Sequence, residues 1–279
     1  MSIHLKKRGR PSKVDIAART NTPKIKFRSD EEVLTDLVER FKILSILTEG
    51  TVAKNVRALV VTGGPGVGKT YTVENILEHS GAQYEIVRGA MSAVNLYKLA
   101  YRNRKAGNVV VIDDADSIFN DEEALNILKA ICDTSATRRV SWLKESNALV
   151  EDDIPQQFDF NGAVIFISNL NFQQFVDDGK NKYAQHFEAL MSRALYMDLR
   201  IHSRAELGVW VEHVTKVGKI FERENISENT GNLILHFIRS NRDTLRELSI
   251  RTLLKTCQLA KTHPTHWDRM AKILLTKGY

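Results

Sequence analysis

The sequence predicts an α/β fold: a parallel-sheet αβα domain followed by a small all-helical domain. Three observations carry this. Between Leu59 and Ile201, short Val/Ile-rich runs alternate with segments of helical periodicity, the pattern of a parallel sheet covered on both faces. After about residue 203 the strand signal stops and every segment reads as helix. A glycine-rich turn ending in Lys69-Thr70 sits between the first strand and the helix that follows, where phosphate-binding loops occur.

The elements follow in order. Residues 1–28 show no hydrophobic periodicity and hold nine Lys/Arg against one Asp, which predicts a disordered basic arm. Ser29-Asp30-Glu31-Glu32 has capping-box spacing. Val33, Leu37, Phe41, Leu44 and Leu47 then recur at helical spacing, predicting a helix over 30–48 that ends near Gly50. Strands are expected at Leu59–Thr62, Tyr84–Val87, Val109–Asp113, Ala163–Ser168 and Leu195–Ile201. Helices are expected near 69–79, 93–104, 121–132 and 183–192. Residues 134–161 interrupt the alternation. Their aromatic, alternating flanks fit a β-hairpin with a long tip, with an ordinary surface loop as the alternative. Segments 204–224, 229–240, 243–261 and 265–276 read as helices. The expected organisation is an arm over 1–28, an αβα domain over 29–202 carrying the 134–161 insertion, and a helical domain over 203–279.

With 279 residues, 43% of them hydrophobic, the chain can bury a sizeable core. Its apolar runs fall far short of the ~20 residues a membrane helix needs, and the charged N-terminus has no secretory pattern. Cys132 and Cys257 are too few for a disulfide framework, so a reducing cytoplasm is the expected compartment. The charge is uneven. It is +8 over residues 1–28, −8 over 29–199 and +6 over 200–279. A basic arm and a basic C-terminal third suit a polyanion such as nucleic acid; solvated helix surfaces are the alternative.

The strongest motif is Gly63-Gly64-Pro65-Gly66-Val67-Gly68-Lys69-Thr70, which fits G-x-x-x-x-G-K-[ST]. Glycines let the backbone curl until its N–H groups face phosphate oxygens. The helix N-terminus adds partial positive charge. Lys69 is expected on the β and γ phosphates and Thr70 on Mg²⁺, which makes ATP and magnesium the expected ligands. Val109-Val110-Val111-Ile112 leads into Asp113-Asp114 at a strand's carboxyl end, where ligands gather in such sheets. Asp113 is a candidate for holding Mg²⁺ through water, and Asp114 for orienting or deprotonating the attacking water. Asp116 is a third carboxylate, expected at a helix cap or a neighbouring subunit.

These residues resemble the AAA+ ATPases, a branch of the P-loop NTPases, over roughly residues 30–275. The resemblance implies an αβα nucleotide-binding domain and a helical lid, ATP hydrolysis, and assembly of several copies. It also implies roles for residues outside the loop. Asn169, ending Phe166-Ile167-Ser168-Asn169, resembles the polar sensor on the central strand. Arg193, at a helix end before the last strand, resembles the arginine finger that reaches a neighbour's nucleotide. Arg246 resembles the lid sensor, with Arg242 and Arg251 as competitors. The family usually has Asp-Glu where this chain has Asp113-Asp114. The shorter carboxylate could stand about 1 Å too far back, which bears on rate more than on binding. More loosely, the whole chain resembles small bacteriophage AAA+ proteins near the clamp-loader and helicase-loader subunits, an impression strengthened by the Trp267-Asp268-Arg269-Met270-Ala271 tail segment.

Two segments are candidates for DNA contact. Arg8-Gly9-Arg10-Pro11 resembles an AT-hook, a strip thin enough for a narrow minor groove; a nonspecific basic tail is the alternative. In the insertion, Arg138, Arg139 and Lys144 flank Trp142, a mixture that suits a loop tracking a nucleic-acid strand, with Trp142 as buried core the alternative. The expected function is therefore an oligomeric Mg-ATPase that remodels or loads a protein partner on DNA, in host cytoplasm if viral. The rival is a nucleotide-gated DNA-binding assembly with little turnover. A small-molecule kinase is a third reading, against which Asn169, Arg193 and the helical C-terminal region argue.

Overall fold

The structure, a computed structural model, describes residues 28–178 and 183–278. The arm carrying Arg8 and Arg10 lies outside these described residues. Helix α1 (Asp30–Val52) opens the fold, and the capping box forms: the Ser29 hydroxyl accepts from Glu32 N–H while the Glu32 carboxylate accepts from Ser29 N–H. The helix runs past Gly50. The N–H groups of Asn55 and Val56 both return to the Gly50 carbonyl at 2.9 Å, so the residue turns the chain back instead of ending the helix.

Strand β1 (Ala58–Thr62) follows, then α2 (Lys69–Ser80), β2 (Gln83–Arg88), α3 (Ala93–Arg102) and β3 (Asn108–Asp113). A 3₁₀ turn (Asp116–Asn120) leads to α4 (Glu122–Ile131). The insertion forms β4 (Arg139–Ser141), the short helix α5 (Asn147–Glu151) and β5 (Gln157–Asp159). After it come β6 (Ala163–Ser168), α6 (Phe172–Asp178), α7 (Ala184–Arg193) and β7 (Leu195–Asp198). The C-terminal helices are α8 (Arg204–Val217), α9 (Ile220–Arg223), α10 (Glu228–Ser240), α11 (Ile250–Thr262) and α12 (Trp267–Leu275).

The five long strands form one parallel sheet in the order β2-β3-β6-β1-β7. Successive side chains point to opposite faces, and both faces are covered. Val60, Val110, Ile112, Val164 and Phe166 pack with α3, α4 and α7. Leu59, Val61, Val109, Val111 and Ile165 pack with α1, α2 and Trp210 of α8. All residues of β1 and β6 are buried, which is why the sequence shows continuous apolar runs there. Each such Val, Leu or Ile contributes about 1.5–3 kcal/mol by leaving water.

Helices α8–α12 build a separate apolar cluster around Ile234, Leu245, Leu253 and Cys257. Two expected helices differ from the periodicity. The 204–224 segment breaks at Gly218-Lys219, where Lys219 takes a positive φ of 48°. Residues 243–249 are not helical: Leu245 bridges Thr276, and Ser249 then caps α11 through Thr252 N–H. This cluster is tied to the sheet domain near the glycine-rich turn. Trp210 Nε1 donates to the Val67 carbonyl at 2.8 Å and stacks on Phe41 at 4.4 Å, while Ile250 N–H donates to the Gly66 carbonyl at 3.1 Å.

Candidate active site

Sheet register sets the site. Thr62 pairs with Ser168, and Asp113 with Ile167. Gly63, Asp114 and Asn169 therefore leave the sheet together at its carboxyl rim, and the loop 63–68 curls above them into α2. Gly68 caps α2 with a φ of 109°, and Gly66 has a φ of 69°. A Cβ on Gly66 would stand 2.7 Å from Ser249 Cβ, so glycine is required there by both backbone and packing.

Lys69 is 5% exposed. Its Nζ donates to the carbonyls of Gly63 (2.7 Å) and Gly64 (2.9 Å) and to Asn169 Oδ1 (2.9 Å). Burial pulls its ammonium down to about 8, against the opposing pull of the Asp114 and Asp113 carboxylates. Asn169 Nδ2 donates to Asp114 Oδ1 at 2.8 Å. Lysine, asparagine and aspartate thus form one chain at the rim. Asp114 holds a left-handed φ of 51°, fixed by its N–H to the Ile167 carbonyl.

Thr70 Oγ1 donates to Asp113 Oδ2 at 3.0 Å. Burial raises the Asp113 carboxyl above the usual range, with Asp114's charge adding and Thr70 and Arg88 opposing. Arg88, the last residue of β2 and the register partner of Asp113, places Nε 3.3 Å from it and also pairs with Glu74. The Arg88 contact was not legible in the sequence, because it needs the knowledge that β2 lies beside β3. Asp116 accepts from Ser168 Oγ at 2.6 Å, and burial raises its carboxyl too. Hydroxyl and carboxylate oxygens are the donor set magnesium takes alongside substrate phosphates. Among the described residues no His/Cys/Asp/Glu cluster could hold a metal by itself.

The rim opens into a cavity of about 600 Å³ between the glycine-rich turn, α1 and the C-terminal helices. Its apolar end is walled by Phe41, Trp210, Val214 and Val217, and its polar end by the glycine-rich turn, Asp113 and Asp114. Arg251 and Arg223 enter from the helical side.

Residues 59–150 match the family described as ATPase family associated with various cellular activities (AAA). The chain is 33% identical over 247 residues to an uncharacterized 36.7 kDa protein from the nrdC-mobD intergenic region of Enterobacteria phage T4, covering 87% of this chain and 75% of that one. The chain belongs to the AAA+ ATPase family. It is an AAA+ ATPase of bacteriophage type. Over 156 residues it is also 27% identical to the ATPase family AAA domain-containing protein 3 of Caenorhabditis elegans, covering 50% of this chain and 25% of that protein. Among solved structures, the RuvB Holliday junction branch migration motor of Thermotoga maritima aligns at a TM-score of 0.44 and 11% identity, covering 88% of this chain and 69% of that one. A point mutant of Thermotoga maritima RuvB aligns at 0.49 and 11%, covering 86% and 69%.

Within this AAA+ ATPase the remaining candidate residues fall in different places. Arg246 donates through Nε to the Thr276 carbonyl at 3.0 Å, and its backbone N–H goes to Leu275. It braces the C-terminal segment, while its competitor Arg251 lines the cavity. Arg193 ends α7 and lies at the opposite rim of the sheet, since Leu195 of β7 pairs with Leu59 near the start of β1. Its Nη1 donates to the Ala189 carbonyl, and its Nε is 3.5 Å from Asp133 Oδ2.

The insertion is a hairpin, with β4 and β5 antiparallel, but its cations differ from the expectation. Arg138 is 5% exposed. Its guanidinium donates to the carbonyls of Ile131 (2.8 Å) and Gly162 (2.6 Å) and lies over Phe160. Burial brings it down to about 10, so it stays charged at neutral pH. It is a structural cation with no surface to offer nucleic acid. Trp142 is core as well. Arg139 and Lys144 are exposed, and pair with Asp159 and Glu123.

Proposed function

We propose that this AAA+ protein hydrolyses Mg-ATP as a homo-oligomeric ring or arc in the host cytoplasm, and uses the turnover to load or remodel a protein partner on DNA. The observation that carries the reading is the chain Lys69–Asn169–Asp114 at the mouth of the phosphate loop, open to a cavity of about 600 Å³. A cation, a polar group and a carboxylate side by side at the loop support a role on a terminal phosphate and its attacking water.

The residue roles follow from position. Backbone N–H groups of Gly64 and of residues 66–70 cradle the phosphates, and the aromatic and aliphatic wall takes the base. Lys69 exchanges its carbonyl partners for β and γ phosphate oxygens. Thr70 and Asp113 would hold magnesium, which when bound neutralises phosphate charge. Asp114 accepts a proton from the attacking water and Asn169 orients it. Arg251 approaches from the lid. Arg193, at the far rim, serves the nucleotide of a neighbouring copy.

DNA as the target rests on charge. With Arg138 buried, and Arg139 and Lys144 paired, the arm with Arg8 and Arg10 and the basic C-terminal third are the supporting cations. The test is steady-state hydrolysis by the full chain with and without single- and double-stranded DNA. Stimulation that falls as salt rises, and is lost with Arg8→Ala/Arg10→Ala, supports the reading. Equal rates with and without DNA in both proteins count against it. One observation favours the rival, a nucleotide-gated assembly with little turnover: Asp114 is short and already engaged by Asn169. ATP-dependent assembly with turnover at the Lys69→Ala background would establish that rival.

A further inference from the structure

A second cavity, of about 410 Å³, lies at the amino rim of the sheet, where β1 and β7 begin. It is lined by Asn55, Arg57, Thr134, Ser192, Arg193 and Leu195, with Asp133 as the carboxylate beside Arg193. Arg57 immediately precedes β1, so both arginines stand at the same rim. Six residues of extended chain, about 20 Å, separate Arg57 from Gly63. This cavity therefore cannot serve a nucleotide on its own chain's phosphate loop.

Its chemistry is that of an oxyanion seat. A guanidinium carries five N–H donors in a planar fork. The bonds described for Arg57 all come from Nη1, to Ser135 O at 2.8 Å and Thr134 O at 3.5 Å. Arg193 uses Nη1 on Ala189 and Nε toward Asp133. Two guanidiniums facing one carboxylate leave positive charge over. Leu195 beside them is 49% exposed, an apolar side chain at the edge of the sheet.

We propose that this cavity receives the terminal phosphates of ATP bound by a second copy of the chain, with Arg57 acting beside Arg193 as a second arginine on that nucleotide. The inference rests on the reading of this protein as an oligomeric ATPase with Arg193 acting across the interface. The loaded site of one copy presents phosphate together with Asp113 and Asp114, and the rim of the next presents the arginine pair. In the reaction, the water oxygen bonds to the γ-phosphorus as the bond to the β-phosphate bridging oxygen breaks. That oxygen leaves with the electron pair on ADP, and the water proton goes to Asp114. Arg57 transfers no proton. It donates hydrogen bonds to the charge that spreads over the γ oxygens.

The test is complementation with full-length chains at a concentration where the wild-type rate has reached its plateau. Arg57→Ala alone should lose about 10²-fold in rate, the effect of removing one donor to a developing oxyanion, with ATP affinity at the chain's own loop kept within about twofold. Asp114→Asn alone should be inactive. Mixed equally, the two should recover about one quarter of the wild-type rate, the share of sites that random mixing in a closed ring pairs with an intact donor. Arg193→Ala mixed with Asp114→Asn is the reference. Recovery by Arg193→Ala but not by Arg57→Ala overturns the role of Arg57 and leaves the shared-site reading standing. No recovery by either overturns both. Because Arg57→Ala also frees the Ser135 carbonyl, its Tm is read beside its rate in the mixture: recovery with an unchanged Tm supports the proposal, since a folding defect in the chain that supplies the intact Asp114 would not be rescued by a partner, and a full rate in Arg57→Ala alone overturns it.

Discussion

Arg251 and Arg246 lie five residues apart, and only Arg251 lines the cavity, so substituting each in turn is informative. Arg246 Nε bonds the Thr276 carbonyl at 3.0 Å. Arg246→Ala removes one half-buried hydrogen bond, worth about 1 kcal/mol. The neighbouring backbone bonds, Arg246 N–H to Leu275 and Lys277 N–H to Thr244, remain. For a chain of this size that corresponds to a fall in Tm of about 2–4 °C, with ATP affinity unchanged. Arg251 lines the nucleotide cavity, and its charge opposes protonation of Lys69. Arg251→Ala should weaken ATP binding and turnover together, by about 10²-fold, the scale of a charge-assisted bond to phosphate. The same substitution removes a like charge from beside Lys69, so the nucleotide-free protein should be no less stable than wild type. Differential scanning fluorimetry without nucleotide, and titration with a fluorescent ATP analogue, read the two effects separately. Loss of nucleotide affinity in Arg246→Ala with Arg251→Ala indifferent would refute the assignment of the lid arginine.

Lys69 carries a pH signature. With its pKa near 8 in the free protein, bound phosphates should restore the charged form. At pH 8.5, calorimetry in buffers of different ionisation enthalpy should then show net proton uptake on ATP binding. The sign for stability is also fixed. The penalty for burying the charged lysine is present below pH 8 and relieved as pH rises toward its unfolded value of 10.5, so wild type should gain on Lys69→Met across that window in urea denaturation. Arg138→Met should cost about 3 kcal/mol, because the Ile131 and Gly162 carbonyls lose a charged partner; DNA affinity measured by anisotropy on the folded protein should not change. Asp114→Glu places a longer side chain at a φ of 51° and should destabilise by about 1 kcal/mol. If the short carboxylate limits turnover, hydrolysis rises in that variant; no gain would discount side-chain length as the limit.

The local features were legible and the long-range ones were not. Continuous Val/Ile runs marked the buried strands because both faces of this sheet are covered. The phosphate loop is a contiguous motif whose backbone needs are written in its glycines, and Ser29 with Glu32 announced the start of α1. Gly50 misled because its role, turning the chain so that Asn55 and Val56 return to it, depends on residues outside the helix. The burial of Arg138 did carry a signal: it shares strand parity with Val140 and Trp142, both inward. Seeing that Arg251 and not Arg246 lines the cavity needed the start of α11 at Ile250, which the pairing of Leu245 with Thr276 decides across about 30 residues. Arg57 carries no motif; only the parallel pairing of β1 with β7 brings it to the rim where Arg193 stands.

In the proposed function, nucleotide turnover needs both the Lys69–Asn169–Asp114 rim of one copy and the arginine rim of another. Steady-state ATP hydrolysis per chain, measured across protein concentration with Lys69→Ala as background, tests it most directly. A site shared between copies gives a specific rate that climbs with concentration to a plateau and collapses in Arg193→Ala at every concentration. A specific rate independent of concentration and untouched by Arg193→Ala would contradict it.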